Sequence, residues 1–262
     1  MDLGLKDKLV LITGGSKGIG LACAQAFAEE GARLALTSRS AANLEAASAL
    51  LKRAGATPWT RAADMGDAAA VETLIDALEN ESGPIDVLVT SAGAARRMPP
   101  AELTAQAFQD AMQAKYFSYV FPMNAVVKRM AARQRGVIVN VIGAGGKVAS
   151  PIHLPGGAAN AALMLVTAGM ANAYAAQGVR VVAVNPGLTM TERLKEGMAA
   201  DAKLQGIAIE EALARATSRL PLGRIAEPAE IANAVLFLAS QKASYVTGAI
   251  LAMDGAVTPT VC

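Results

Sequence analysis

The sequence of 262 residues has few of the side chains on which metal, disulfide and triad chemistry depend. It contains one histidine, two cysteines, one tryptophan and four tyrosines. These numbers exclude a zinc site built from cysteine and histidine, a disulfide framework, and any mechanism that uses two histidines. Cys23 and Cys262 lie far apart in the sequence, so we expect two reduced thiols and no bound metal.

Charge and long apolar runs are also scarce. Charged residues make up 18% of the chain, and 24 basic against 22 acidic residues give a net charge of +2. No basic block indicates a nucleic-acid surface. The N-terminus carries acidic residues and lacks the apolar core of a signal peptide. Residues 161–170 are the nearest approach to a membrane span, which needs roughly 18 apolar residues. We therefore expect a cytoplasmic protein with no membrane or nucleic-acid partner.

Short apolar, β-branched segments alternate with alanine-rich segments along the chain. Continuous apolar runs are typical of strands covered by helices on both faces. The alternation predicts an α/β fold with a parallel, doubly wound sheet in a single domain. Residues 189–221 depart from it and are predicted to form a helical lid over the carboxyl edge of the sheet. Strands are predicted at 8–13, 33–38, 57–62, 86–90, 137–142, 179–184 and 249–253, and helices at 18–30, 41–54, 67–81, 104–133, 158–177 and 228–240.

A glycine-rich turn, TGGSKGIG at 13–20, joins the first predicted strand to the first helix. Glycines allow a tight turn and a close backbone approach, and a helix N-terminus favours the negative charge of a pyrophosphate. The strand–turn–helix context distinguishes this turn from a purely structural one. It predicts a dinucleotide site that includes Gly14, Ser16, Lys17, Gly18, Ile19 and Gly20.

The second strand indicates which dinucleotide binds. Enzymes that use NAD place an acid at its end to bind the ribose 2′-hydroxyl, but this strand ends at Ser38 and no acid occurs between 33 and 43. Arg39 can instead hold a 2′-phosphate, and Lys17 adds a second cation. These residues predict NADP(H); the alternative is that Arg39 is only a solvated surface charge.

Further motifs follow the later strands. Asp64 follows the third strand, 91–93 (SAG) the fourth, and 185–187 (NPG) the sixth, before LPLGR at 220–224, VTG at 246–248 and DG at 254–255. With the glycine turn, these motifs make the whole chain resemble the short-chain dehydrogenases/reductases. The resemblance implies a Rossmann-type, three-layer αβα fold with a seven-stranded parallel sheet, a small-molecule substrate, and a homotetramer or homodimer. It also implies cofactor contacts by Asp64, Met65, Ser91, Ala92, Gly93, Pro186, Gly187, Thr189 and Thr191.

The chain departs from this family at its catalytic positions. The family's tyrosine and lysine fall on Gly156 and Asn160, its serine on Gly143, and its helical asparagine on Lys115. Asparagine and lysine are thus exchanged. Asn160 is expected to hydrogen-bond the cofactor's ribose. Lys115, partly desolvated, is expected to act as acid or base with a lowered pKa. The alternative is that Lys115 extends outward to solvent.

Other side chains near these positions are weaker candidates. His153 lies three residues before Gly156 and is a possible proton donor, although a lone loop histidine often has no such role. Tyr119 lies one helical turn after Lys115 and is expected to pack in the core. Gly143, Gly156, Met190 and Leu194 are predicted to contact the substrate. For the lid side chains Met190, Leu194, Met198 and Leu204 the alternative is simple helix packing.

Three functions fit this pattern. The first is an NADP(H)-dependent reductase of a small carbonyl or related substrate, with Lys115 or His153 as proton donor or with a charged acceptor that needs none. The second is an isomerase, dehydratase or lyase that uses Lys115 as a base. The third is a cofactor-binding pseudoenzyme or sensor. The retained cofactor motifs and the apolar lid favour the reductase, although the fold alone does not settle the function.

Overall fold

The computed structural model describes residues 2–93 and 97–259, without the side chains of 200, 201, 203 and 204. Cys262 and the Leu204 side chain therefore lie outside the described part. Seven strands pair in parallel in the order β3-β2-β1-β4-β5-β6-β7, which confirms the predicted sheet. The strands are β1 (Leu9–Thr13), β2 (Arg33–Ser38), β3 (Trp59–Ala62), β4 (Val87–Thr90), β5 (Gly136–Val141), β6 (Val179–Pro186) and β7 (Ile250–Met253).

Nine α-helices connect the strands or cover the sheet in the described part of the chain. They are α1 (Gly18–Glu29), α2 (Ala41–Arg53), α3 (Ala68–Ser82), α4 (Ala105–Ala111), α5 (Ser118–Ala132), α6 (Leu154–Tyr174), α7 (Glu192–Gln205), α8 (Ile209–Ser218) and α9 (Pro228–Ala239). Their ends follow the sequence signals. Gly31, Gly55 and Gly178 have positive φ just beyond helices, and Pro228 opens α9.

Successive side chains of a strand point to opposite faces of the sheet, so an apolar run fills two cores. In β1, Val10 and Ile12 pack in the core beneath α1, α2 and α9. Leu9 and Leu11 pack in the other core, beneath α3, α5 and α6. The single domain therefore has the predicted three layers, with helices on both faces.

Two helix boundaries differ from the sequence prediction. The helix expected over 104–133 is interrupted by a π-helical segment, Met112–Phe117, between α4 and α5. The helix expected from residue 158 begins at Leu154, because Pro155 in its first turn has the φ that a helix start requires and no N–H to leave unpaired. Gly156 consequently lies inside the first turn of α6 and is buried.

The predicted lid consists of α7 and α8. A bridge between Thr189 and Ala226 fixes its start, and the Met190 N–H donates to the Ala226 carbonyl at 2.8 Å. Thr191 caps α7 by accepting from the Leu194 N–H at 3.2 Å. The lid thus leaves the sheet directly after β6, at its carboxyl edge.

One helical stretch, Pro151–Gln177, is long and apolar enough to cross a membrane by length and composition. The stretch is apolar on average but is not an unbroken apolar run, since it includes His153, Asn160 and Thr167, and it does not contradict the expectation that no such run reaches the length of a membrane span. The stretch contains α6, whose Leu163, Met164, Thr167 and Ala171 are buried in the fold. A buried core helix meets the same measure as a membrane span.

Candidate functional site

The glycine turn has a backbone that larger residues cannot adopt. Gly14 has φ +68°, and a Cβ there would lie 2.8 Å from the Ala92 backbone. A Cβ at Gly20 would collide with the Gly14 carbonyl. The turn therefore approaches the residues after β4 as closely as backbone allows, which is what a bound pyrophosphate also requires.

The site lies in the crevice between β1 and β4, where the strand order reverses. The Thr13 hydroxyl accepts from the N–H groups of Ser91 and Ala92, at 3.2 and 3.4 Å. The lid reaches the same crevice, since a Cβ at Gly18 would lie 3.3 Å from Thr191 Cγ2. The structure thus brings together the glycine turn, the segment after β4 and the start of the lid.

The N-terminus of α1 suits an anion. Lys17 is the N-cap residue, and its side chain makes no capping hydrogen bond to the first turn. The first-turn N–H groups of a helix lack intrahelical acceptors and attract negative charge. Buried Ser16, partly buried Ile19 and buried Gly20 complete this part of the turn. These residues fit the pyrophosphate of a dinucleotide.

Two exposed basic side chains are candidates to bind a phosphate: Lys17 lies in the glycine turn and Arg39 follows β2. Within residues 2–93 and 97–259, no acidic side chain forms an ion pair with Lys17 or Arg39. The Ser38 hydroxyl donates to the Ser40 carbonyl at 3.1 Å, which fixes the start of the loop after β2. Both cations are therefore available to a ligand phosphate. On the neighbouring strand end, Met65 is buried and the Asp64 carboxylate accepts from the Gly66 N–H at 2.9 Å.

Lys115 lies in the π-helical segment and is buried, with 9% of its surface exposed. Such bulges redirect a side chain from the regular helix surface and occur often at functional sites. Its Nζ donates to the Tyr119 hydroxyl at 2.7 Å, the Ile142 carbonyl at 3.0 Å and the Val141 carbonyl at 3.4 Å. The alternative that Lys115 extends outward is wrong.

The surroundings of Lys115 contain polar atoms but no counter-ion that the structure describes. Burial, and after it the charge of Arg193, lowers the pKa of Lys115 to about 7. Burial raises the pKa of Tyr119 above its usual value, so this phenol is protonated near neutral pH. Tyr119 is buried as expected, and it also bonds Lys115. The lysine is therefore the group of this pair that can exchange a proton near pH 7.

Gly143, Asn160 and Asn185 meet at the end of β5. Gly143 has φ +136°, and its N–H donates to the Asn185 side-chain oxygen at 3.0 Å. A Cβ at Gly143 would lie 3.2 Å from Asn160 Nδ2. Asn160 is buried, and its Oδ1 has no hydrogen-bond partner in the described residues. A buried acceptor of this kind fits a ligand hydroxyl, because leaving it unpaired is costly.

His153 lies across the same loop. A Cβ at Gly145 would lie 3.1 Å from the His153 ring, whose Nδ1 is buried and unpaired among the described atoms. Burial lowers the pKa of His153, and the charges of Arg97, Arg193 and Lys115 lower it further. The imidazole is therefore neutral near pH 7. It offers one donor and one acceptor.

The remaining predicted residues surround this centre. Gly187 donates its N–H to the Met253 carbonyl at 3.0 Å, directly after Pro186 ends β6. The Thr189 hydroxyl donates to the Gly187 carbonyl at 3.4 Å. Met198 is buried in the described structure, as helix packing requires, whereas Met190 and Leu194 keep partial exposure.

Sequence reasoning missed two arginines. The Arg193 guanidinium donates to the Gly93 carbonyl at 2.9 Å, and it acts on Lys115, Tyr119 and His153 electrostatically. Arg97 acts on His153 and Arg193. A basic residue two positions after Thr191 was the available signal for the first; nothing in the sequence distinguished the second.

Other chemistry is less well supported by the described residues. They contain no group of three or more histidine, cysteine or acidic side chains placed to hold a metal ion. Burial raises the pKa of the Cys23 thiol to about 12. Cys23 is therefore a core side chain, not a reactive thiolate.

Comparison with known proteins fits this arrangement. The family model described as enoyl-(acyl carrier protein) reductase matches residues 14–258. The chain belongs to this family of short-chain dehydrogenases/reductases. It is similar to gluconate 5-dehydrogenase of Gluconobacter oxydans (strain 621H), with 34% identity over 254 residues that cover 97% of this chain and 96% of that protein.

Two solved structures of this short-chain family are similar over nearly the whole chain. L-sorbose reductase from Gluconobacter frateurii, complexed with NADPH and L-sorbose, has a TM-score of 0.92 and 29% identity, and the match covers 100% of both chains. An NADPH-bound short chain oxidoreductase from Pseudomonas aeruginosa PAO1, described as containing an atypical catalytic center, has a TM-score of 0.88 and 32% identity. That match covers 98% of this chain and 99% of the other.

Proposed function

We propose that the chain is an NADP(H)-dependent oxidoreductase that reduces a small carbonyl compound at a centre built around Lys115. The observation that carries this proposal is the burial of Lys115 at the carboxyl edge of the sheet. Its side chain passes beside Gly93, where a Cβ would lie 3.0 Å from Lys115 Cδ, and ends against the Ile142 carbonyl. In the family resemblance, an asparagine stands at this position and a tyrosine stands where this chain has Gly156.

The named relatives support redox chemistry. They include a gluconate dehydrogenase and an NADPH-bound sorbose reductase. The Pseudomonas protein supports a non-standard centre, because it is described as both NADPH-bound and atypical in its catalytic center.

Different residues of this chain bind different parts of the cofactor. The glycine turn and the N-terminus of α1 hold the pyrophosphate, while Lys17 and Arg39 hold the 2′-phosphate. Asn160 accepts a hydrogen bond from a ribose hydroxyl through its unpaired Oδ1. NADPH bound in this way supplies a hydride to the carbonyl carbon. Ser38, Asp64, Met65, Ser91, Ala92, Gly93, Pro186, Gly187, Thr189 and Thr191 line the remainder of the crevice.

Lys115 supplies the proton in this proposal. As negative charge develops on the carbonyl oxygen, the protonated Nζ stabilises it and transfers a proton to it, and the lysine then regains a proton from solvent. A pKa of about 7 suits a donor that works near neutral pH. His153, neutral at that pH, hydrogen-bonds the substrate. Gly143, Gly156, Met190 and Leu194 surround the substrate, and the two glycines present no side chain to it.

We also expect the protein to self-associate as a homodimer or homotetramer. Leu165 on α6 and Tyr245 before β7 are exposed by 76% and 102% of their reference surface. Large exposed apolar side chains of this kind are candidates for a protein interface. Size-exclusion chromatography with light scattering measures the state directly.

The central experiment measures NADPH oxidation with a panel of aldehydes, ketones and ketoses. In Lys115→Met we expect kcat/KM to fall by at least about 100-fold, the usual size of a lost general acid. We expect NADPH affinity, followed by fluorescence titration, to stay within about threefold, because the lysine does not reach the glycine turn. Lys128→Met is the matched control, since Lys128 is exposed on α5.

The same measurements separate the alternatives. Survival of activity in Lys115→Met, with its loss in His153→Gln, transfers the acid role to His153. NADPH binding without reduction of any compound supports a sensor instead. Conversion of a substrate without NADPH consumption supports an isomerase, dehydratase or lyase.

A further inference from the structure

Positive charge is concentrated on the substrate side of the crevice. Gly93 lies beside the side chains of two basic residues, because its carbonyl accepts from Arg193 at 2.9 Å and a Cβ on it would lie 3.0 Å from Lys115 Cδ. Arg193 comes from α7 and Lys115 from the π-helical segment. Two separate elements, α7 and the π-helical segment, therefore bring basic side chains to Gly93.

A third cation reaches the same region through the segment after β4. The Met98 N–H donates to the Ile152 carbonyl at 2.8 Å, which fastens residues 97–99 beside His153. The charges of Arg97 and Arg193 both act on His153, and Arg97 also acts on Arg193. Arg97, Lys115, His153 and Arg193 thus form one electrostatic cluster, called here the cationic cluster.

Within the described residues, two members of this cluster, Lys115 and His153, have no acidic side chain among the groups that shift their pKa. Glu196 acts on Arg193, one turn along α7. Like charges that lie close together repel each other, and Arg97 and Arg193 are exposed, so both can meet a ligand from solvent. A bound anion would offset the repulsion between these positive charges. The planar guanidinium groups of arginine match the oxygens of carboxylates and phosphates.

We infer that the substrate is a carbonyl compound carrying an oxyanion, a carboxylate or a phosphate, which binds between Arg97 and Arg193 beside His153. This inference rests on the proposed reduction and adds the substrate class. The anion belongs to the substrate and not to the cofactor, because the cofactor phosphates are accounted for by the glycine turn, Lys17 and Arg39. Arg193 faces Gly93 and the cluster, on the side of Lys115.

The kinetic test compares matched charged and neutral substrates with NADPH. The pairs are levulinate against methyl levulinate and dihydroxyacetone phosphate against dihydroxyacetone. We expect kcat/KM to favour at least one charged member by tenfold or more. Arg97→Gln and Arg193→Gln should each raise KM for that member about tenfold while changing the neutral member and the Kd of NADPH less than threefold.

Lys195→Gln is the matched control, because it also removes one positive charge from α7, where Lys195 is exposed and paired with Glu192. It should leave the preference intact. Equal use of charged and neutral members in the wild-type protein overturns the inference. So does an Arg193→Gln variant that weakens NADPH binding but not the selective use of the anion.

A binding test separates this inference from the proposed function. The chain has one histidine, so His153 gives a single imidazole signal in NMR spectra. In the NADPH complex we expect levulinate, dihydroxyacetone phosphate or inorganic phosphate to shift that signal saturably, and methyl levulinate to shift it only at concentrations at least about tenfold higher. The shift should be lost in Arg97→Gln and Arg193→Gln. A saturable shift without any turnover keeps the anion site and rejects the reductase; no shift with any of the three anions rejects the anion site.

Discussion

The Lys115 ammonium donates to the Tyr119 hydroxyl at 2.7 Å, and that hydroxyl donates in turn to the Val141 carbonyl. The lysine also lies over the Tyr119 ring, with Nζ 4.3 Å from the ring centre. One helical turn thus contains both the Lys115 ammonium and the Tyr119 side chain that stabilises it. The tyrosine satisfies the lysine with a neutral oxygen and a π-face, which leaves the ammonium without a neutralising carboxylate at this contact.

Stability should depend on pH through Lys115. Its pKa is about 7 in the folded protein against 10.5 ordinarily, so the unfolded chain binds more protons between these values. The free energy of unfolding therefore rises with pH in this window, by roughly 1–2 kcal/mol between pH 7.0 and 8.5 from this group. Denaturant unfolding at several pH values should show this slope, and Lys115→Met should remove it.

Lys128→Met provides the comparison for that slope, because it also removes one lysine, and Lys128 is exposed to solvent on α5. It should retain the pH dependence of the wild-type protein. An unchanged slope in Lys115→Met would show that the buried ammonium does not carry the effect. The window ends at pH 8.5 since Cys23 and Tyr119, whose pKa values are raised, act in the opposite direction at higher pH.

Cofactor preference should depend on Arg39. Replacing it with alanine removes a charged contact to a 2′-phosphate, worth roughly 1.5–3 kcal/mol. We expect the Kd of NADPH to rise by tenfold or more in Arg39→Ala while that of NADH stays the same. Arg53→Ala, at the exposed end of α2, should change neither value. Equal wild-type affinities for NADPH and NADH, measured by fluorescence titration, would contradict the assignment.

The backbone at Gly143 should resist the serine that is usual in the family. Its φ of +136° is unfavourable for any L side chain, and a Cβ would press on Asn160 Nδ2 at 3.2 Å. We expect Gly143→Ser to lower the free energy of unfolding by roughly 1–3 kcal/mol and to gain no activity.

Gly169→Ala in α6 is the control for Gly143→Ser. A Cβ at Gly169 meets no atom within 4 Å, so alanine should be neutral or stabilise the helix by roughly 0.5–1 kcal/mol. Both free energies come from urea titrations. Full stability in Gly143→Ser would mean that the loop can adopt the family's usual conformation, and that glycine there is not required by the backbone.

The sequence was sufficient for the sheet and the glycine turn because both depend on local patterns. An apolar run such as that of β1 indicates a strand with both faces buried, without knowledge of the elements that cover it. Gly14 is required locally, because the turn needs a positive φ at that position. The π-helical segment around Lys115 has no such pattern. Whether that lysine points inward is decided by the carbonyls of Val141, at the end of β5, and of Ile142 just after it, which are 26 and 27 residues away.

Arg97 shows a second reason why some residues of the site could not be predicted from the sequence. The backbone hydrogen bond from the Met98 N–H to the Ile152 carbonyl, next to Arg97 and His153, joins segments more than fifty residues apart. Periodicity carries no information about such a contact. The start of α6 at Leu154 is different in kind, since Pro155 is a local sequence signal for a first helical turn.

The charge of Arg97 should be measurable at His153. Burial contributes most to the lowered pKa of His153, and Arg97 is the largest of the three charges that add to it. Removing a nearby positive charge stabilises the imidazolium, so the pKa of His153 should rise in Arg97→Gln and, less strongly, in Arg193→Gln. A proton NMR titration of the single imidazole measures this in the protein without added anion. Lys195→Gln, which changes the net charge equally from a solvent-exposed position, should leave the pKa where it is; a rise of equal size there would assign the effect to overall charge instead of to the cationic cluster.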